Sequence, residues 1–142
     1  MSNKRARFIK DEGVKERINN LTLNKNEPIP TDNSELTVMT IVDNKKIKRI
    51  SNIKNLTVLR CYNTELSFIN DCDSLFYVSI KNDTHLPELS LNDMNKVKLT
   101  NCNISKIYIN NTKKVHVNTL PNLSFIRLID VNKLVLSNIN IL

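Results

Sequence analysis

The stretch Leu56–Leu66, read L-T-V-L-R-C-Y-N-T-E-L, decides the fold. Leu56, Leu59 and Cys61 are apolar at offsets 0, +3 and +5, Asn63 follows at +7, and Leu66 stands at +10. The spacing returns at Leu75, Val78, Ile80 and Asn82, and again at Met94, Val97, Leu99, Asn101 and Ile104. Self-similarity at a fixed period marks a repeat architecture and outranks any single motif.

Working outward in both directions, coils start at Ile18, Leu36, Leu56, Leu75, Met94, Thr112 and Val131, with gaps of 18, 20, 19, 19, 18 and 19 residues. The +3/+5 pairs are Leu21/Leu23, Met39/Ile41, Leu59/Cys61, Val78/Ile80, Val97/Leu99, Val115/Val117 and Leu134/Leu136. Every member is apolar in a chain that is 40% hydrophobic, so chance does not account for them. Apolar residues two apart with a polar one between have the period of a strand with one buried face. So short a strand cannot bury that face alone, whereas stacked parallel coils give a continuous apolar wall held by neighbour contacts. The +7 residues, Lys25, Asp43, Asn63, Asn82, Asn101, Thr119 and Asn138, are expected at the turn, where an Asn side chain can bond backbone groups.

These residues resemble the leucine-rich-repeat family, whose core reads LxxLxLxxNxL, over about Ile18 to Leu142. Here the Asn comes one residue early, as LxxLxLxNxxL, and the coil is shorter than the family's range of about 20–29 residues. The second half of the coil alternates again at Leu89-Ser90-Leu91, Ile107-Tyr108-Ile109 and Ile126-Arg127-Leu128. Short extended segments, not helices, are therefore expected on the back, since a coil of this length cannot hold a helix of about 11 residues. The expected fold is mainly β: residues 18–142 form one seven-coil solenoid, and residues 1–17 form a basic N-terminal cap.

Composition narrows the function classes. Gly13 is the only glycine, which excludes Gly-rich phosphate loops. The heavy use of Asn, Lys and Ile is similar to that of proteins from AT-rich viral and protist genomes. Met1–Lys10 is charged and no apolar run approaches the roughly 18 residues of a membrane span. An intracellular, cytoplasmic location without a membrane span is expected. Cys61, Cys72 and Cys102 are odd in number and form no CxxC, so they read as structural thiols, with Cys61 and Cys72 at apolar positions.

Other segments have structural readings. In residues 1–17 the bases outnumber the acids, and Phe8, Ile9 and Val14 can cover the first coil. Glu27–Ser34 holds Pro28 and Pro30 and reads as a loop. Lys45, Lys46, Lys48 and Arg49 read as a solvated edge. Leu134, Leu136, Ile139 and Ile141 lie near an open strand edge, a place for self-association unless covered.

Catalytic chemistry is not expected. His85 and His116 lie in different coils at different offsets, and nothing joins Ser79, Asp83 and a histidine into a triad. Asp71, Asp73, Asp83 and Asp93 read as turn formers. No catalytic, metal or cofactor residue is assigned.

The outward strand face is more informative. The +2 row reads Asn20, Val38, Val58, Tyr77, Lys96, Lys114, Lys133. The +4 row reads Thr22, Thr40, Arg60, Ser79, Lys98, His116, Val135, and the +6 row reads Asn24, Val42, Tyr62, Lys81, Thr100, Asn118, Ser137. None of these positions is Asp or Glu, in a chain with 14 acids and a net charge of +7. The leucine-rich-repeat resemblance implies that the strand face binds protein. The expected surface is Arg60, Tyr62, Tyr77, Lys81, Lys96, Lys98, Lys114, His116 and Lys133, facing an acidic protein partner. A nucleic acid or other polyanion is the first alternative and a structural subunit stacking through its ends is the second. A host-interaction role fits a viral source.

Overall fold

A computed structural model describes residues 19–140, so Ile18, the basic segment 1–17, Ile141 and Leu142 lie outside the described residues. Ten strands follow in order: β1 (Asn20–Leu23), β2 (Val38–Asn44), β3 (Arg49–Ser51), β4 (Val58–Thr64), β5 (Phe68–Asn70), β6 (Tyr77–Asp83), β7 (Glu88–Asn92), β8 (Lys96–Thr100), β9 (Lys106–Asn118) and β10 (Phe125–Ser137). All pairings are parallel. The molecule is a parallel β-solenoid of about six turns of roughly 19 residues. Six turns are what seven successive front strands enclose.

The front wall runs β1-β2-β4-β6-β8 and continues through the second halves of β9 and β10. The register is the one the repeat pattern implies. Leu21, Met39, Leu59, Val78, Val97, Val115 and Leu134 form one row of Cα partners, and Leu23, Ile41, Cys61, Ile80, Leu99, Val117 and Leu136 form another. The back wall holds the expected extended segments: β3 pairs β5, and β7 pairs the first half of β9, which pairs that of β10. Ile50, Ile69, Leu89, Leu91, Ile107 and Ile109 point inward from it to meet the front rows in one core. Each such aliphatic side chain contributes about 1.5–3 kcal/mol on burial.

Each coil must turn twice, and the turns explain the abundance of Asn and Asp. Asp43 (φ 49°), Asn63 (56°), Asn82 (59°), Asn101 (51°), Thr119 (59°) and Asn138 (54°) make the first corner in the left-handed region. Asn52, Asp71, Asp93, Asn111 and Asp130 make the second in the same conformation. Without glycine at these sites, Asn and Asp are the residues that best tolerate it. In the last two coils the second corner is one residue, Asn111 or Asp130, so β9 and β10 pass from back wall to front without a break.

The +7 side chains differ from expectation. Asn63 Nδ2 donates to Asp43 Oδ1 (2.6 Å), Asn82 Nδ2 to Asn63 Oδ1 (3.0 Å) and Asn101 Nδ2 to Asn82 Oδ1 (2.7 Å). They bond one another across coils rather than the backbone. In two coils the backbone-satisfying role falls to the next position, +8, where Asn44 and Asp83 are buried. Asn44 Nδ2 donates to the carbonyls of Asn24 and Glu27, while its Oδ1 accepts from the amides of Lys46 and Ile47. Asp83 stands at the same position two coils on. It is buried at the end of β6 rather than at a solvent turn, and it accepts from the Thr64 hydroxyl and the amides of Leu66, His85 and Leu86.

Candidate binding face

The front wall brings all nine expected surface residues onto one side of one sheet. Val38, Val58, Tyr77, Lys96, Lys114 and Lys133 are successive Cα partners. So are Thr40, Arg60, Ser79, Lys98, His116 and Val135, and Val42, Tyr62, Lys81, Thr100, Asn118 and Ser137. The face divides in two. Val38, Val42, Val58, Tyr62 and Tyr77 make an apolar half over β2, β4 and β6. Lys81, Lys96, Lys98, Lys114 and Lys133 make a basic half from β6 to β10. Adjacent strands lie about 4.8 Å apart, so the three lysines of the +2 row share a narrow stripe.

The two halves meet at β6. The Arg60 guanidinium lies over the Tyr77 ring at 5.5 Å, within cation–π range. Beside it Ser79, though on the outward face, is only 7% exposed. Its Cα partners are Arg60 and Lys98, and Tyr77 and Lys81 flank it along the strand. Among the described residues, no front-face cation forms an ion pair. The ion pairs among the described residues lie elsewhere, on one acid: Glu65 receives Lys48 at 3.0 Å, with Lys45 at 3.7 Å and His85 Nε2 at 4.0 Å. The Lys48 hydrogen bond holds the Glu65 carboxyl below the usual range. The Lys45–Arg49 edge is thus partly paired, and Arg49 sits on the Phe68 ring at 4.6 Å.

The remaining reactive groups have structural surroundings. Burial pushes the Cys61 thiol far up and Cys102 up to about 11. Cys72 is half-buried just past β5, not in the core, and burial raises it too. The His85 ring meets Thr84 Oγ1 (2.7 Å) and Glu65, not Ser79. Among the described residues no group of three or more His, Cys, Asp or Glu is placed to hold a metal. No helix there is long and apolar enough to cross a membrane.

Two surfaces lie outside the expected face. On the back wall the Tyr108 and Phe125 rings meet at 5.4 Å between centroids, tilted by 45°, with Phe125 exposed. Their outward positions resemble any solvated strand position in the sequence, which is why the pattern did not mark them. At the last strand Leu134 (41%) and Leu136 (44%) are exposed although they stand in the inward rows, and Ile139 is half-buried. Ile141 lies outside the described residues.

No protein-family model matches the chain, and neither does any curated protein or solved structure. The parallel β-solenoid therefore stands on the repeat and its geometry.

Proposed function

We propose that this chain is a leucine-rich-repeat-like scaffold, without catalysis of its own, whose front wall captures a protein partner bearing an acidic surface. The observation that carries this reading is the lysine row Lys96, Lys114, Lys133 in lateral register, on a face without a single acid. Two like charges about 5 Å apart repel by about 0.8 kcal/mol even at the dielectric of water. The charges of that row repel one another in the isolated fold, whereas an acidic partner relieves the repulsion. The apolar half supplies area that a purely electrostatic surface lacks. The composition favours an AT-rich source, viral or protist, and an intracellular setting in which a viral chain would meet host proteins.

The test is the triple variant Lys96→Glu, Lys114→Glu, Lys133→Glu, compared with the parent in nuclease-treated capture from native cells. The variant should fold and lose the partner, with the loss mainly in on-rate and weaker at high salt. Unchanged capture by the folded variant would reject this face. Capture that vanishes with nuclease and falls steeply with salt would assign the face to a nucleic acid instead.

The exposure of Leu134 and Leu136 supports a second reading, association of copies through the β10 edge. Sedimentation across a hundredfold concentration range tests it: rising mass supports stacking, and a constant monomer mass with Leu134→Lys having no effect removes it.

A further inference from the structure

Ser79 is the one outward residue of the front wall that is buried. Ser, unlike its neighbours, is too short to reach solvent past them. Arg60 stands on one side of it and Lys98 on the other as direct Cα partners, and Lys81 follows two residues along β6. Tyr77 precedes it by two and fixes the Arg60 guanidinium by ring contact at 5.5 Å. Among the described residues, no side-chain hydrogen bond reaches Ser79 Oγ, and Arg60, Lys81 and Lys98 have no ion-pair partner. Buried hydroxyls normally have a partner. An unpartnered buried hydroxyl with three unpaired cationic residues next to it on the sheet is a donor set with its acceptor missing.

We infer that Ser79, Arg60, Lys98 and Lys81 form a subsite for one carboxylate, the Asp or Glu side chain of an acidic peptide segment lying across the front wall. This deepens the front-face reading and rests on it. The carboxylate takes the planar fork of Arg60 on both oxygens, the geometry in which Arg exceeds Lys. Lys98 neutralises the opposite side, and the Ser79 hydroxyl donates to the oxygen nearest the sheet. The side chains flanking the hydroxyl, Arg60 and Lys98, are long and on flexible stems, so admission needs rotamer changes and no backbone movement. The apolar half beside Arg60, with Val58 and Tyr62, receives the segment on one side of this carboxylate. The lysine row receives further acids on the other. The segment is thereby oriented, aliphatic over β2–β4 and acidic over β8–β10.

The probe is an end-blocked peptide, Val-Leu-Glu-Ser-Glu-Glu, with an all-Gln version as control, titrated into the whole chain and followed by backbone amide shifts. The amides of Arg60, Ser79 and Lys98 should shift saturably with the Glu peptide and stay still with the Gln peptide. Ser79→Ala removes the donor while leaving every charge and the apolar wall in place. It should weaken binding about tenfold, the scale of a hydrogen bond to a charged group. Arg60→Lys should weaken it by a similar factor at unchanged net charge. Unchanged affinity in Ser79→Ala, with shifts confined to Lys96, Lys114 and Lys133, overturns the subsite and keeps the face. A peptide that moves no front-wall amide overturns both. Inorganic phosphate saturating the same three amides below the concentration needed for the Glu peptide overturns the carboxylate assignment.

Discussion

Asn82 Nδ2 donates to Asn63 Oδ1 at 3.0 Å, and the amides on either side point the same way. Every Nδ2 from Asn63 to Asn101 reaches toward the preceding coil, and the row ends on Asp43, a carboxylate that only accepts. A one-way chain of amides ends correctly on such a group, because its first member has no earlier acceptor to reach.

The ladder and the corner make separable demands on Asn82. Asn82→Gly keeps the left-handed corner and loses two exposed side-chain bonds. Asn82→Leu loses both, and a bulky residue at φ 59° adds strain of about 1–2 kcal/mol. Urea melts should show the Leu variant about 2 kcal/mol less stable than the parent and the Gly variant roughly half as affected. Equal losses would mean that the corner conformation costs nothing at this site.

Asn44 and Asp83 hold the same offset in different coils and cannot be exchanged. The Asn44 amide faces two carbonyls, of Asn24 and Glu27, at 2.8 and 2.9 Å, where a carboxylate would set oxygen against oxygen. The Asp83 carboxyl accepts through one oxygen from the Leu66 amide (2.9 Å) and through the other from the His85 and Leu86 amides (2.9 and 2.7 Å), so an amide NH2 in place of either oxygen would set donor against donor. Asn44→Asp and Asp83→Asn should each cost about 1–3 kcal/mol, measured by chemical denaturation, although each changes one atom. A neutral Asp83→Asn would show that the displaced amides find other partners.

This pair also marks where the sequence stopped being legible. The +3 and +5 rows were readable because the inner wall accepts one chemical class, and burial rewards any aliphatic there. Over four successive coils position +8 holds Asn44, Thr64, Asp83 and Cys102, four residue types on one inward site, and the next coil places Leu120 there. The second corner was hidden by its variable distance from the next coil, four residues at Asn52 and Asp71 but one at Asn111 and Asp130. Ser79 read as an ordinary outward polar residue. Its neighbours across the sheet, Arg60 and Lys98, lie 19 residues away on either side, so its burial is not written in the local sequence.

Glu65 ties three basic residues from two coils together. Its folded carboxyl is held low by Lys48, so its stabilisation is present above the unfolded value of about 4.3 and is lost as pH falls through the folded one. Melting temperatures between pH 3 and 7 should show the parent above Glu65→Gln near neutrality and the two curves converging at the acid end. Parallel curves across that range would leave Glu65 without a part in acid stability.

The thiols should separate by burial. Cys61 and Cys102 lie in the core with raised pKa values, about 11 for Cys102, and so present almost no thiolate at pH 8. Cys72 is half-buried and raised less completely. Ellman's reagent on the folded chain at pH 8 should titrate slowly and at most one thiol, Cys72, and all three in denaturant. Fast reaction of two thiols in the folded chain would contradict the core placement of Cys61 or Cys102.

Lys114 is the middle of its row, with Lys96 and Lys133 as direct lateral partners. If the row exists for a partner, the isolated fold bears its repulsion. Lys114→Glu turns two repulsive neighbours into two attractive ones, and opposite charges facing across strands are worth about 0.2–1 kcal/mol. The variant should therefore melt higher than the parent at low salt, by a few tenths to about 1 kcal/mol in stability. The gain should shrink in 1 M salt, where the Debye length falls to about 3 Å. Lys114→Gln should fall between the two. Lys stems also pack along a sheet, so a structural use of the row would appear as a loss of stability in both variants, insensitive to salt. That result would remove the argument from repulsion to a partner, because the lysines would then have a reason to stand in register within the fold itself.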